Sequence, residues 1–364
     1  MNRIKSAVVV LLVLFLISTA ILISQTWGTE DSWTTLEPMP TARSGHGVTV
    51  VDGMIYVMGG EFGRGPITNN EVYDPQSNIW TSCNSIPTPR SSFGIVNVEN
   101  KIYIIGGSTT SIGSTGLNEV YDSLTDTWEV KTSMPTARAN VVANEVEGKI
   151  YVMAGCTFPH PSFPTLCNKT EVYNPVNDSW SDGAEMPDFT GLGMAENVAS
   201  TVIDNIIYVT VGEALYIYNT IKDSWSLGAS VPDVIHGGAF MGATTGESAP
   251  KRLYLFGGYG YSYGNTLNLT RVYDPEENVW SYGEQLLTPR FGSAVAVLND
   301  KMYVIGGIVG DNVSFYAPTA LNERYTPSNN ITEFPIWVLL VAGFFAIILL
   351  SVVYRTQLKQ RRRK

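Results

Sequence analysis

The chain has 364 residues, a formal net charge of −10 and a sequence pI near 4.9. Eight of its 23 Lys and Arg residues lie in the two terminal segments, and all 33 Asp and Glu residues lie between them, so the region between the ends has a net charge of −18. Nucleic acids and anionic membrane surfaces favour positively charged partners, and this charge balance argues against both as ligands.

The first predicted element is an apolar stretch, Ala7–Ile23, that follows Arg3 and Lys5. Its length and its basic flank predict either a cleaved secretory signal peptide or an uncleaved signal anchor, with residues 1–28 assigned to it. The sequence Ser24–Gly28 contains no small-x-small cleavage site. Both alternatives place the region that follows outside the cytoplasm.

Residues 29–327 consist of a repeated unit, which the first copy shows most clearly. Ser44–Val51 alternates small or polar residues with apolar ones, as a strand with one buried face does. Asp52-Gly53 predicts a tight turn, and Met54–Met58 is an apolar run typical of a strand buried on both faces. Asn70–Tyr73 is the predicted third strand, and Trp80 begins the fourth. Four successive strands make one twisted sheet.

The same features recur in the same order along the chain. A tryptophan follows a tyrosine by seven residues in five pairs: Tyr73/Trp80, Tyr121/Trp128, Tyr173/Trp180, Tyr218/Trp225 and Tyr273/Trp280. Small residues end each second strand, and the sequence apolar-Pro-x-x-Arg, or a looser form of it, precedes four first strands at Arg43, Arg90, Arg138 and Arg290. Successive tryptophans are 45 to 55 residues apart, which is the period of a propeller blade.

These residues resemble the Kelch repeat over roughly residues 31–327. The resemblance implies an all-β fold, a six-bladed Kelch-type β-propeller with four antiparallel strands per blade. Trp33 has no tyrosine before it and Tyr325 has no tryptophan after it. We therefore expect the N-terminal strand Ser32–Leu36 to complete the last blade and close the ring, which removes the open sheet edges. The fourth unit departs most, with Val211-Gly212 in place of Gly-Gly.

The predicted closure brings both chain ends to one corner of the propeller, which we expect to face the membrane. The opposite face collects the loops after each second strand, and we expect it to recognise a protein or a glycan. Tyr259, Tyr261 and Tyr263 alternate in one of these loops and either present aromatic rings to a ligand or are ordinary loop residues.

The four repeated arginines, Arg43, Arg90, Arg138 and Arg290, fall on the same face. In Kelch domains that bind acidic peptides, arginines near such positions line the central pocket, so the resemblance implies an anionic ligand held by forked hydrogen bonds. The alternative is that each arginine ties its loop to the adjacent blade.

Cys156 and Cys167 flank one loop of the third unit and are either a disulfide or two buried thiols. Sequence motifs for N-glycosylation occur at five asparagines: Asn168, Asn177, Asn268, Asn312 and Asn330. Both features are consistent with an oxidising, extracellular environment.

The C-terminal region predicts a membrane anchor. Residues 328–333 form a juxtamembrane linker, and 334–354 is an uncharged transmembrane helix. Residues 355–364 form a basic tail that the positive-inside rule assigns to the cytoplasm. The residues Glu333–Trp337 resemble the junction before the C-terminal helix of archaeal surface proteins. The predicted location is the plasma membrane, with one span or two.

The sequence predicts a binding protein with no catalytic residues, cofactor or metal. His46, His160 and His236 are the only histidines, and no phosphate loop, zinc spacing or nucleophile elbow occurs. The alternative is a membrane-tethered carbohydrate-active enzyme, similar to the sialate epimerases or copper-radical oxidases of Kelch type.

Overall fold

The computed structural model describes residues 31–63, 65–109, 113–157, 165–187, 198–233, 238–260, 265–310 and 317–328. The chain divides into two units, 28–329 and the terminal segments 1–27 with 330–364. The expected signal segment, transmembrane helix and basic tail lie outside the described residues. Within the described ranges, no helix has the length and apolar character that a membrane span requires.

Residues 32–326 form six four-stranded antiparallel sheets, which are the blades of a propeller. In order of first to fourth strand, blade 1 is Gly47–Val51, Met54–Met58, Asn70–Asp74 and Ile79–Cys83; blade 2 is Gly94–Val98, Lys101–Ile105, Asn118–Asp122 and Thr127–Lys131; blade 3 is Val142–Val146, Lys149–Met153, Thr170–Asn174 and Ser179–Gly183. Blade 4 is Val198–Ile203, Ile206–Val211, Ala214–Asn219 and Ser224–Leu227; blade 5 is Phe240–Ala243, Leu253–Phe256, Thr270–Asp274 and Val279–Tyr282; blade 6 is Ala294–Leu298, Lys301–Ile305, Asn322–Thr326 and Ser32–Thr35.

The strand from the N-terminal end completes blade 6, which confirms the predicted six-bladed fold and its closure. Ser32–Thr35 pairs with Asn322–Thr326 in a register that places Trp33 opposite Tyr325. The other five blades pair a tyrosine and a tryptophan in the same way, as Tyr73 and Trp80 do. With this strand in place, each of the six blades has four paired strands.

The local sequence explains the strand boundaries. Asp52 and Gly53 both have positive φ, 49° and 76°, as a type I′ turn requires, and they join the first two strands of blade 1. The second strands are the most buried, with Ile55, Val57 and Met58 at 0% exposure. The first strand begins at Gly47 and not at Ser44, because residues 44–46 belong to the connection between blades.

Each tyrosine–tryptophan pair joins its blade to the preceding one. Tyr121 and Trp128 have ring centroids 5.0 Å apart, and the Tyr121 hydroxyl donates to Asp126 Oδ1. The same oxygen accepts the Asn84 backbone N–H, and Trp128 Nε1 donates to the Asn84 carbonyl. Asn84 lies after the last strand of blade 1, so Asp126 and Trp128 of blade 2 hold the chain that leaves blade 1.

The two ends of the blades differ. The turn face carries the tight turns between first and second strands and between third and fourth strands, such as those at Asp52 and Asp74. The loop face carries the connections between blades and the loops after each second strand. Asp31 and Ser328, at the ends of the propeller, are hydrogen-bonded to each other on the turn face.

Candidate functional site

A cavity of about 380 Å³ opens on the loop face at the propeller axis, and we call it the axial cavity. Its floor is made by the two residues after each repeated arginine. These residues are Ser44 and Gly45, Ser91 and Ser92, Ala139 and Asn140, and Phe291 and Gly292, together with Gly238 of blade 5. The axial cavity therefore draws on five of the six blades.

A chain of backbone hydrogen bonds links this floor from blade to blade. The N–H of Ser92 donates to the Gly45 carbonyl and that of Asn140 donates to the Ser92 carbonyl, each at 2.8 Å. On the other side, Gly45 N–H donates to the Gly292 carbonyl at 3.1 Å, and Gly292 N–H donates to Gly238 at 2.8 Å. All five residues have φ between 54° and 63°, which directs their peptide groups around the axis.

Short two-stranded ribbons form the wall of the axial cavity. They follow the second strand in five blades: Glu61–Phe62 with Gly65–Pro66, Ser108–Thr109 with Gly113–Ser114, Cys156–Thr157 with Thr165–Leu166, Tyr259–Gly260 with Asn265–Thr266, and Ile308–Val309 with Ala317–Pro318. Four ribbon residues line the cavity: Glu61, Ser108, Tyr259 and Ile308. Blade 4 has a direct turn between Val211 and Ala214 at this place.

The four repeated arginines lie beneath the cavity floor at 0% exposure. Each guanidinium is paired with a buried glutamate from the third strand of its own blade, in the pairs Arg43–Glu71, Arg90–Glu119, Arg138–Glu171 and Arg290–Glu323. Burial lowers the pKa of Arg90 to about 10, against the opposing effect of Glu119, so this guanidinium remains charged at neutral pH.

The backbone carbonyl of each repeated arginine accepts a hydrogen bond from the preceding blade. The Arg138 carbonyl accepts the N–H of Gly107, the second glycine of the pair that ends the second strand of blade 2. A Cβ on the first glycine, Gly106, would lie 2.7 Å from that carbonyl oxygen. Arg43, Arg90 and Arg290 make the same contact with the glycine pair of the blade before them. The Gly-Gly motif thus permits the close approach of this carbonyl.

The expectation that these four arginines hold an anionic ligand is therefore corrected by the structure. Their side chains are buried, and their donors are directed to glutamates and to backbone carbonyls such as those of Ala154 and Lys169 for Arg138. The alternative, that each arginine ties its loop to the adjacent blade, matches the observed contacts. A glutamate two residues before four of the repeated tyrosines was the sequence signal that could have indicated these pairs.

Blade 5 has a related pair in which the third strand supplies the arginine and the connection between blades supplies the carboxylate. Arg271 occupies the third-strand position that holds glutamate in four other blades, and it is 0% exposed. Its Nε donates to the Pro232 carbonyl at 3.0 Å and lies 3.9 Å from Asp233 Oδ2. The apolar-Pro-x-x-Arg motif predicted no arginine for blade 5, because Arg271 lies in the third strand and not in the connection before the first strand.

Of the three candidate tyrosines, Tyr259 lines the axial cavity, and its ring contacts Phe291 with centroids 5.6 Å apart. Tyr261 and Tyr263 lie outside the described residues. Glu61, Ser91 and Asn140 also line the cavity, although the sequence did not single them out. Ser91 and Asn140 follow a repeated arginine by one and two residues, and Glu61 directly follows a Gly-Gly pair. These spacings were the sequence signal that could have indicated them.

Cys156 is buried at the start of the blade 3 ribbon and Cys167 is half-buried directly after it, and the disulfide and the thiol alternatives both stay predictions. Cys156 is opposite Leu166 in its ribbon, and the Cys167 N–H donates to the Gly155 carbonyl at 2.9 Å. Asn140 Nδ2 lies 3.8 Å from Cys156 Sγ.

Three of the five glycosylation motifs lie in described residues. Asn177 is exposed in a turn, whereas Asn168 and Asn268 are half-buried. The Asn168 side chain donates to the Met186 carbonyl at 3.3 Å, and Asn268 donates to Gln285 at 2.8 Å. Asn312 and Asn330 lie outside the described residues.

The histidines do not converge on the axial cavity within the described ranges. His46 is 7% exposed between blades 1 and 6, and burial, aided by the Arg43 charge, lowers its pKa to about 3. His160 and His236 lie outside the described residues. No group of three His, Cys, Asp or Glu residues among those described is arranged to hold a metal ion.

The fold and the axial cavity define the class: a closed six-bladed β-propeller that presents ribbons and blade connections around a central opening. Comparison with family models identifies the family. Residues 45–229 match the KLHDC2/KLHL20/DRC7 Kelch-repeats domain, and residues 246–286 and 289–331 match the Kelch motif. The first match covers half of the chain, so the chain belongs to the Kelch-repeat family.

Two similar proteins illustrate the extent of this likeness. The chain is 42% identical over 55 residues to an F-box/kelch-repeat protein of Arabidopsis thaliana, which is 15% of this chain and 14% of that relative. The solved structure of YjhT superposes with a TM-score of 0.65 at 17% identity, covering 79% of this chain and 95% of YjhT. At that identity the likeness to YjhT concerns the fold.

Proposed function

We propose that this protein is a membrane-anchored binding module of the cell surface, which recognises a protein or glycan ligand at the axial cavity. The observation that carries the proposal is this cavity of about 380 Å³ on the loop face, where polar groups from five blades converge. The volume falls within the range of ~300–1,000 Å³ typical of ligand pockets. Kelch propellers are suited to protein–protein interaction.

The position of the chain ends supports an outward-facing cavity. Asp31 and Ser328 meet on the turn face, opposite the cavity, and Ser328 N–H donates to Asp31 Oδ1 at 2.7 Å. The predicted transmembrane segment, 334–354, follows within a few residues. The predicted anchor is therefore joined to the propeller at the turn face, while the axial cavity opens on the loop face.

The lining of the axial cavity favours binding over the alternative of a carbohydrate-active enzyme. Glu61 is the one carboxylate among the described lining residues. Glycoside hydrolysis commonly uses two carboxyl groups, separated by about 5–10 Å across the scissile bond. Among the described residues, the serine hydroxyls, the Asn140 amide, one carboxylate and two aromatic rings of the lining suit non-covalent binding of a ligand.

Lysine labelling of intact cells tests whether the propeller lies outside the cell and the C-terminal tail inside it. A membrane-impermeant amine reagent is applied to cells that express the full chain, and the modified lysines are identified by mass spectrometry. Lys101 and Lys251 are both about 44% exposed on the propeller, whereas Lys359 and Lys364 lie in the predicted cytoplasmic tail. Modification of Lys101 and Lys251 without the tail lysines is expected. Modification of the tail lysines alone contradicts the proposal.

The binding site is tested by blocking the cavity. Ser108→Trp places a large ring in the cavity wall, and Val176→Trp alters a residue of the turn face that is 94% exposed. Full-length variants are screened on a glycan array and by cross-linking on intact cells. Ser108→Trp is expected to lose the captured ligand, while Val176→Trp retains it at an unchanged melting temperature. The reverse pattern would assign the ligand to the turn face.

A further inference from the structure

We propose that the axial cavity binds a basic side chain, a lysine or arginine presented by a partner protein, and that Glu61 is its counter-ion. This inference rests on the proposed binding function and adds the chemistry of the ligand. It differs from the anionic ligand that the arginine positions had suggested.

The first argument is the charge of the cavity lining. Among the described residues, the lining contains one carboxylate and no lysine, arginine or histidine. The arginines beneath the floor do not offset that carboxylate, because Arg43 and Arg90 are each neutralised by a buried glutamate of their own blade. Among the described residues, Glu61 therefore remains as a lining carboxylate with no ion-pair partner.

The second argument is the position of Glu61 itself. Ribbon residues in equivalent places are uncharged, as Ser108 and Ile308 show. Glu61 is exposed, and its Oε1 accepts a hydrogen bond from the Ser91 hydroxyl of blade 2. No cation among the described residues is paired with it. Its carboxylate is thus held at the cavity with acceptor capacity left for a ligand.

The third argument is the aromatic part of the wall. Tyr259 and Phe291 line the cavity in blades 5 and 6, with ring planes 47° apart. Aromatic faces attract lysine and arginine cations and also pack against their aliphatic stems. A carboxylate combined with aromatic rings suits a long basic side chain, and the carboxylate repels an acidic glycan.

The negative charge of the whole propeller also favours a basic ligand. The region between the basic ends has a net charge of −18. A cleft lined by one sign of charge concentrates field lines and accelerates the association of oppositely charged partners. Binding to this cavity should therefore weaken as the salt concentration rises.

The test uses the full chain in detergent micelles and a displayed library of random peptides. Peptides that are captured by the wild type and lost with Ser108→Trp define cavity ligands. We expect these peptides to contain a required lysine or arginine, whose replacement by glutamine lowers affinity about tenfold or more. Glu61→Gln is expected to reduce affinity for the same peptides by a similar factor and to weaken their salt dependence.

Glu276→Gln is the matched control, since it removes one exposed carboxylate from the turn face. It should leave affinity unchanged if Glu61 acts locally, whereas an equal loss in both variants would show a general charge effect and overturn the counter-ion role. Cavity peptides that need no basic residue, or that bind Glu61→Gln equally well, overturn this inference while the proposed function stands. If no peptide or glycan is displaced by Ser108→Trp, both proposals fail.

Discussion

Tyr325 donates a hydrogen bond from its hydroxyl to the carboxylate of Asp31, which lies 294 residues earlier in the chain. In the other blades, the tyrosine bonds to an Asn or Asp five residues after it, as Tyr73 does with Asn78 at 2.6 Å. Asp31 lies two residues before Trp33, as Asn78 lies two residues before Trp80. The N-terminal strand therefore brings to blade 6 both the tryptophan and the acceptor that this blade lacks.

Replacing Asp31 should weaken the closure of the ring. Asp31→Ala leaves the hydroxyl of Tyr325, a fully buried residue, without its acceptor, and we expect a loss of about 1–3 kcal/mol in the free energy of unfolding. Asp31→Asn keeps an acceptor oxygen and should be close to wild type, since Asn78 serves blade 1. Urea unfolding of both variants measures the difference, and equal stability of the two would contradict this role.

Breaking one buried arginine–glutamate pair should be costly. Arg138→Met leaves Glu171 buried without its partner, and we expect a loss of about 3–5 kcal/mol. The double variant Arg138→Met/Glu171→Met should recover much of it. Lys101→Met, which removes an exposed pair with Glu129, should cost less than about 1 kcal/mol. Thermal unfolding of the four proteins checks this, and a single Arg138 variant as stable as Lys101→Met would be inconsistent with it.

Replacing the first glycine of a Gly-Gly pair should destabilise the fold only in blades where an arginine carbonyl of the next blade lies against that glycine. Gly106→Ala combines a φ of 70° with a Cβ placed 2.7 Å from the Arg138 carbonyl oxygen, and we expect a loss of about 2 kcal/mol or more. Blade 3 already has alanine at this place, Ala154, with a φ of 56°. Ala154→Gly should change stability by less than about 1 kcal/mol. Calorimetry on both variants tests the asymmetry.

His46 should make the propeller less stable in acid. Its folded-state pKa of about 3 lies below the ordinary value of 6.5, so the unfolded chain takes up the proton first as pH falls. The contribution of His46 to stability is therefore complete above the unfolded-state pKa and decreases as pH falls from about 6.5 towards 3, by up to ~1.4 kcal/mol per pH unit.

His46→Phe tests this effect, because the equivalent residue of blade 2 is Phe93. The variant should lose less free energy of unfolding than the wild type between about pH 7 and about pH 4.5. Urea unfolding at both pH values provides the measurement. The same pH dependence in the two proteins would show that His46 does not contribute, and that the carboxylates account for the acid sensitivity.

Much of the fold was predictable because propeller blades repeat local patterns. Tyr173 and Trp180 mark a third and a fourth strand wherever they occur, and their spacing of seven residues is the length of the hairpin that pairs them. The missing partners of Trp33 and Tyr325 predicted the closure for the same reason. The start of the first strand was misplaced, since residues 44–46 alternate like a strand but form a connection.

The candidate site was less predictable, because it combines residues from blades far apart in sequence. The arginine motif indicated the correct place on the loop face but the wrong chemistry. Arg138 is directed below the cavity floor by a glutamate that lies 33 residues later. Glu61 and Tyr259 belong to different ribbons, and no local pattern relates them.

The sequence by itself determined the number of blades and the order of strands, because each blade is built from residues that are close in the chain. It also determined the closure by the N-terminal strand, because Trp33 and Tyr325 each lack the partner that the other five copies have. Only the tertiary structure decided which side chains face the axial cavity. Burial and ion pairing remove the four repeated arginines from solvent, and Glu61 is the charged side chain among the described residues that line the axial cavity.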